Sequence, residues 1–438
     1  MAGRKRASGE WVNWAGDQSC RPNADLYPAS REELAEAVAS AAAAGRKVSV
    51  AGSGHSFTEA ALTGGSMVHV EGLAGVLDAD PGSGLVRVGG GTVLADLNEE
   101  LAGLGLAMEN LGDIDVQTIA GAISTGTHGT GARLRNISAQ VEGIELVLAD
   151  GSARHLSATT HPELLRAARV GIGALGAITA VTLRCVPAFT LRRVDRPEPR
   201  EQVLESFQER ADAHDHFELF TFPYGENALV LERNRVDEQP RPRGRAATYL
   251  NDVVIENWAL GALSATGKAL PGRIPALARL ADRVASGSAT TDRSDRVFAN
   301  ERRVRFTEME YGVPREHGPE AVRRVIEWVR SNRFPVFFPI ELRVAAGDDA
   351  SLSPSHERDT AYIAVHQYRG MEWRPYFEAV EAIMNDYEGR PHWGKRHFQT
   401  AATLAPRYPA WAEFQAARDE LDPQRVFTNE YAARVLGP

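Results

Sequence analysis

Gly52-Ser53-Gly54-His55-Ser56-Phe57 places a histidine at the tip of a glycine-rich turn, directly after the apolar run Val48-Ser49-Val50-Ala51. Two glycines in one turn expose several backbone N–H groups together, which suits a phosphate anion. The imidazole beside them supplies a nucleophilic nitrogen, so a nucleotide lying in this turn could be tethered covalently through His55. The same letters also spell an ordinary tight turn with a surface histidine, and its neighbours carry the weight of the choice. Gly121-Ala122-Ile123-Ser124-Thr125-Gly126-Thr127-His128-Gly129-Thr130-Gly131 is a second small-residue segment. Its backbone can approach a flat ligand closely, while Ser124, Thr125 and Thr127 offer hydroxyls to phosphate or ring edges. The alternative, a glycine-rich linker, is weakened by the apolar Ala122 and Ile123 inside it.

Further along, a strand expected over 336–344 puts Glu341 and Arg343 on one face, because side chains alternate with period two. They either pair with each other on a solvent face or, with Phe337, Phe338 and Ile340 beside them, sit partly buried, where a charge needs a partner or a purpose. On a strand expected over 362–368, His366 shares a face with Tyr362, Ala364 and Tyr368. Its unperturbed pKa suits proton transfer near neutrality, although a lone strand histidine is more often structural. His392-Trp393-Gly394-Lys395-Arg396-His397 sets cations beside an aromatic in a loop, with a surface cation–π pair as the plainer reading. No spacing of His392 and His397 matches a common metal site, and none is implied.

The elements that must position these groups can be read from caps and periodicity. Ser30 followed by Glu33 is a capping-box pattern for an alanine-rich helix that Gly45 ends, and the strand into the His55 turn follows. Short strands are expected over 67–70, 76–78 and 85–88, a helix over 93–102, a hairpin over 141–156 and a strand over 177–186. Gly171-Ile172-Gly173-Ala174-Leu175-Gly176 matches the dinucleotide fingerprint, yet it follows a helix expected over 162–169 and enters a strand. The fingerprint needs strand into helix, so a Rossmann reading is rejected. After Pro187 the composition shifts toward arginine and proline, marking a domain boundary. The second unit holds strands over 217–222, 228–232 and 304–311, a helix over 319–330, the strands carrying Glu341 and His366, and a helix over 375–387. That series favours an antiparallel sheet with helices on one side. Residues 263–284 read as helical, and Arg241, Arg243 and Arg245 as a solvated basic loop.

With 438 residues, the chain needs at least two domains. A net charge of −9 without long charged blocks excludes a general nucleic-acid surface and favours small substrates. Two distant cysteines fit neither a disulfide framework nor a zinc site, which favours a cytoplasmic location. Met1 to Trp11 reads as a frayed tail. No apolar run is long enough for an integral membrane segment, which leaves peripheral attachment open.

Taken together, the His55 turn, the segment holding Thr127-His128-Gly129, Gly173-Ala174-Leu175-Gly176, Glu341-Leu342-Arg343 and His392-Trp393-Gly394-Lys395 resemble the aldonolactone oxidoreductases of the vanillyl-alcohol-oxidase flavoprotein family. This group includes L-gulono-1,4-lactone and D-arabinono-1,4-lactone oxidases and alditol oxidase. Phe222-Pro223-Tyr224, Phe306-Thr307-Glu308-Met309-Glu310-Tyr311 and Ala364-Val365-His366-Gln367-Tyr368 are most similar to its actinobacterial gulonolactone branch. The resemblance implies an α+β fold: an FAD-binding domain over 12–187, a substrate-binding cap over 188–410 with an antiparallel sheet and flanking helices, and a segment over 411–438 returning to the first domain. It implies FAD attached covalently through His55. Pyrophosphate contacts would fall on Gly52, Ser53, Gly54, Ser56, Gly121, Ala122, Ser124, Thr125, Thr127 and His128, and adenine-side contacts near Gly176 and Ile178, with Thr118 a further cofactor contact. Gly112 would govern oxygen access to the flavin, and Asp113 departs from the serine common beside it.

The activity so implied is oxidation of an aldono-1,4-lactone at C2 to an ascorbate-type 2-keto lactone. Hydride passes to flavin N5 and electrons go on to oxygen, a quinone or a cytochrome. Arg343 and Lys395 would stabilise developing negative charge, Lys395 also touching the flavin. Glu341 would bind substrate hydroxyls and orient Arg343, and His366 would contact substrate or act as base. The alternatives are an alditol oxidase, with a polyol in place of the lactone, and a flavin-binding protein without turnover.

Overall fold

The computed structural model describes residues 4–5, 9–241, 260–299 and 302–438. In the first part of the chain, Ser66–His69 lies between Ala24–Leu26 and Val48–Ala51 in a parallel three-stranded sheet. Ser30 caps the helix Arg31–Ala43 by accepting the Glu33 N–H, and Glu33 reaches back to the Ala29 N–H at 2.8 Å. Leu34, Val38 and Ala41 face the sheet from that helix, four and three residues apart as one buried face requires. The strand Val48–Ala51 therefore arrives rigidly at the Gly52 turn. There Gly54 adopts φ +69°, a left-handed conformation that glycine takes without a Cβ penalty.

A second, five-stranded antiparallel sheet runs in the order Ala153–Ser157, Val141–Val147, Ala177–Arg184, Leu85–Gly89, Val76–Asp80. Its core also takes Phe414 and Leu421 from the helix Trp411–Leu421 and Tyr431, Val435 and Leu436 from Glu430–Leu436, so the C-terminal helices pack back against the N-terminal sheet.

The largest sheet has eight antiparallel strands, in the order Ser288–Arg293, Thr190–Pro199, Asn227–Val236, His216–Thr221, Ile340–Ala345, Thr360–Tyr368, Phe306–Pro314, Arg390–Pro391. Alternation divides its central strands cleanly. Leu219, Leu342, Ile363 and Tyr311 form one cross-strand row. With Val344, Val365 and Met309 they pack on helices Gly318–Ser331 and Arg374–Asn385 through Val322, Val325, Tyr376 and Phe377. The opposite face carries Glu218, Glu341, Arg343, Glu308, Glu310 and His366, all buried. A sheet face this charged is tolerable only when its groups neutralise one another.

The structure departs from the sequence expectations at four places. The strand carrying Glu341 begins at Ile340 instead of 336, because Pro335 and Pro339 offer no N–H to a ladder. The helix expected over 263–284 is two, Leu260–Ala269 and Ile274–Val284, broken at Pro271-Gly272. The glycine-rich segment opens as a short helix, Ile119–Ser124, capped by Thr118. Instead of fraying, Arg4–Lys5 pairs with Trp11–Val12. Arg243 and Arg245 lie outside the described residues, while Arg241 is exposed and bridges Thr291.

Leu342 sits at the centre of the apolar row with no exposed surface. Leu342→Ala should cost about 2–5 kcal/mol of stability, read by chemical denaturation, as for other buried leucine truncations.

Candidate active site

Two clefts meet at His55. The first, of about 1010 Å³, runs between the parallel sheet and the five-stranded sheet. Gly52, Ser53, Gly54, His55, Ser56, Thr118, Gly121, Ser124, Thr125, Gly176 and Ile178 line it, with Phe427 and Asn429 from the C-terminal end. Thr118 joins its two glycine segments. A Cβ on Gly52 would lie 2.3 Å from the Thr118 Oγ1, and one on Gly121 3.0 Å from it. Gly173 and Gly176 belong to this cleft although their fingerprint stands in the wrong order, helix Pro162–Arg169 into strand Ala177–Arg184. Ala122 lines neither cleft: the helix turns its side chain into the apolar core, where it has no exposed surface.

The second cleft, about 2000 Å³, lies between these loops and the charged sheet face. Gly112, Asp113, Thr127, His128, Glu341, Arg343, His366 and Lys395 line it, and His55, Ser56 and Thr125 belong to both clefts. The His55 ring stacks on Trp14 at 5.3 Å. The loop that carries Lys395 is docked on the His55 turn: the Phe57 N–H donates to the Gly394 carbonyl at 2.7 Å, and the Thr58 hydroxyl to the Trp393 carbonyl at 3.1 Å. Trp393 is fully buried, its Nε1 donating to the Leu352 carbonyl, so the surface cation–π reading of this loop gives way.

Arg343 is the hub of the sheet face. Its guanidinium pairs with Glu341, with Glu218 at 2.8 Å and with Asp113 at 3.4 Å, and Asp113 also meets Arg302 at 2.5 Å. Burial acts to raise the Asp113 carboxyl, but Arg343, Arg302 and Lys395 outweigh it and hold it well below the ordinary range. Burial likewise opposes ionisation of Glu218, yet Arg233 and Arg343 bring it down to about 2. Glu341 goes the other way. Burial pushes its carboxyl well up, Arg343 only partly offsets this, and the charges of Asp113 and Glu218 raise it further. Burial and the neighbouring anions thus favour the neutral form of Glu341, which stands beside an arginine that Glu218 and Asp113 also face.

Two further carboxylates, absent from the sequence-derived set, complete the layer. Glu308 takes the Lys395 ammonium at 2.5 Å and lies 3.4 Å from the His366 Nε2. The ammonium stays charged despite burial because Glu308 and Glu310 face it. Glu310 pairs with the His128 Nε2 at 3.1 Å, and that ring stacks on Tyr362 at 3.5 Å. His128, Glu310 and His392 converge within 4.8 Å, an arrangement with metal-site geometry. However, the His392 Nδ1 accepts the Gly394 N–H, and burial brings this imidazole down to about 3, so its one proton sits on Nε2. A protonated Nε2 suits a hydrogen-bonded cluster, not metal ligation.

Residues 22–157 match the FAD binding domain family, and residues 181–435 match the D-arabinono-1,4-lactone oxidase family. The chain belongs to the D-arabinono-1,4-lactone oxidase family. It is 51% identical over 428 residues to an L-gulono-1,4-lactone dehydrogenase of Mycobacterium tuberculosis, covering 98% of this chain and 99% of that one. It is 33% identical over 434 residues to the L-gulonolactone oxidase of Bos taurus, covering 98% of each. A solvent-stable cholesterol oxidase superposes over the full length of both chains with a TM-score of 0.84 at 18% identity, a likeness of fold. Membership makes the chain an FAD-dependent oxidoreductase, and the clefts fit that cofactor. Gly52, Gly54, Gly121, Gly173 and Gly176 line the first cleft, and the lining the two clefts share at His55, Ser56 and Thr125 leaves a path for one elongated dinucleotide through both.

Because the Glu218 carboxyl is lower in the folded protein than its ordinary 4.5, the stability it contributes is complete above about pH 4.5 and drains away as pH falls toward 2. Acid titration of the melting temperature should show that loss. Glu218→Gln should flatten it while costing about 3–5 kcal/mol at neutral pH, since Arg233 and Arg343 lose a buried counter-charge.

Proposed function

We propose that the protein oxidises an aldono-1,4-lactone at its C2 hydroxyl to the 2-keto lactone, with FAD occupying both clefts and anchored covalently through His55. We assign residues 12–187 and 411–438 to the FAD-binding unit and 188–410 to the substrate cap. The observation that carries the reading is that the charged sheet face and the His55 turn line one cleft. Bound FAD supplies the acceptor for the hydride that leaves C2. The other product of oxidising a CH–OH group is a proton, and the chain must take it. The His366 Nδ1 faces the Pro339 carbonyl at 3.3 Å and its Nε2 the Glu308 carboxylate at 3.4 Å; with Nδ1 protonated against that carbonyl, Nε2 would be the basic nitrogen. The Nε2 would accept the hydroxyl proton, and Glu308 beside it would stabilise the resulting imidazolium.

Glu341, whose neutral form burial favours, would hydrogen-bond a substrate oxygen. Arg343 and Lys395 would hold positive charge where negative charge develops, and their carboxylate partners fix both before substrate arrives. The turnover cycle ends by passing electrons to oxygen, a quinone or a cytochrome. Gly112, which lines the second cleft, would leave an acceptor room on that side, and an added Cβ would crowd the His128 carbonyl oxygen at 3.3 Å.

Anaerobic addition of L-gulono-1,4-lactone should bleach the flavin far faster than xylitol does. Faster bleaching by xylitol would move the assignment to a polyol oxidase, and no bleaching by either would refute turnover altogether. Lys395→Met should lower kcat about 100-fold or more, the scale for losing one electrostatic donor. On acid precipitation the yellow colour should stay with the wild-type pellet and enter the supernatant for His55→Ala; release from the wild type would sink the covalent anchor.

A further inference from the structure

The helices Leu260–Ala269 and Ile274–Val284 form a hairpin whose outer side differs from the rest of this acidic chain. On the second helix, Ile274, Ala278 and Asp282 are buried at intervals of four. Ala276, Leu280 and Val284 repeat at the same interval, offset by two residues, and so lie almost diametrically opposite. Leu280 is 54% and Val284 68% exposed, and Leu270 at the hairpin bend is 56% exposed. Arg279 and Arg283 flank this outer apolar stripe one residue away, and Lys268 and Arg273 stand near the bend, all four exposed. The single acid between 260 and 287 is Asp282, which is buried and bound to the backbone N–H groups of Glu226 and Asn227.

We propose that this hairpin is a docking surface for an anionic lipid bilayer. Exposed leucine and valine gain by entering the headgroup–acyl boundary, while guanidiniums one residue to the side stay at the level of lipid phosphates. The charge pattern selects this occupant over a second copy of the chain, because two such hairpins face to face would bring their arginine rows together. Gly261, Ala265 and Lys268 share a surface depression with Arg303 and Arg305, which also line the second cleft. Docking would thus turn the cleft mouth toward the membrane and bring lipid-soluble electron acceptors within reach of it.

Co-sedimentation of the full-length holoprotein with vesicles tests this. Binding is expected to mixed phosphatidylglycerol–phosphatidylcholine vesicles, weakening as salt is raised, and not to phosphatidylcholine alone. Arg279→Ala with Arg283→Ala should weaken partitioning about 30-fold, at roughly 1 kcal/mol per cation. Leu280→Glu with Val284→Glu should abolish it, with flavin content and melting temperature unchanged in both variants. No binding to the anionic vesicles would overturn the proposal, as would binding that both variants retain. So would wild-type self-association in sedimentation velocity that the Leu280→Glu, Val284→Glu protein loses.

Discussion

A buried guanidinium is expensive unless carboxylates surround it, and the site is organised by how Arg343 meets that demand. One partner, Glu218, comes from the adjacent strand; another, Glu341, stands two residues before it; the third, Asp113, belongs to the N-terminal half of the chain. Satisfying the charge therefore requires the sheet register, the strand alternation and the contact between the two halves all at once. Removing Glu218 or Asp113 leaves charge uncompensated in a place that water reaches poorly.

The same logic recurs along the sheet. Lys395 with Glu308 and His128 with Glu310 each join a strand residue to a group delivered by a loop from elsewhere. The result is a polar layer with the apolar sheet core behind it and the His55 turn and glycine-rich loops in front. Because the layer is already paired before ligand enters, little reorganisation remains at the moment of reaction. Glu341 is the instructive member: burial pushes its carboxyl up, and Asp113 and Glu218, the anions that face its neighbour Arg343, push it further the same way.

What could be read from the sequence was whatever depends on neighbours in the chain. The His55 turn is local, as is the alternation that sets Glu341 and Arg343 together. The fingerprint at Gly171 could be dismissed from the order of its flanking elements, and the fold upholds that. Glu308 and Glu310 alternate with Met309 and Tyr311 just as Glu341 and Arg343 alternate with Leu342, so the signal was present, but its meaning depended on pairing. Glu308 stands opposite His366, and Asp113 finds Arg302 across 189 residues of sequence. Register of that range is set by the whole sheet, not by any window. The place of Ala122 was illegible for a different reason: a small residue serves equally in a ligand loop and in a tight core, and only the helix capped by Thr118 turns its side chain inward.

The first cleft has walls from opposite ends of the chain. The Val48 N–H donates to the Val426 carbonyl at 2.9 Å, and Asn429 grips the backbone at Leu62, 367 residues away, before Phe427 and Asn429 close over the nucleotide-binding turn. During synthesis, the His55 turn emerges long before this wall exists. Were FAD held there as proposed, its capture would have to wait for the chain to fold back on itself, and flavin colour would report the integrity of nearly the whole polypeptide.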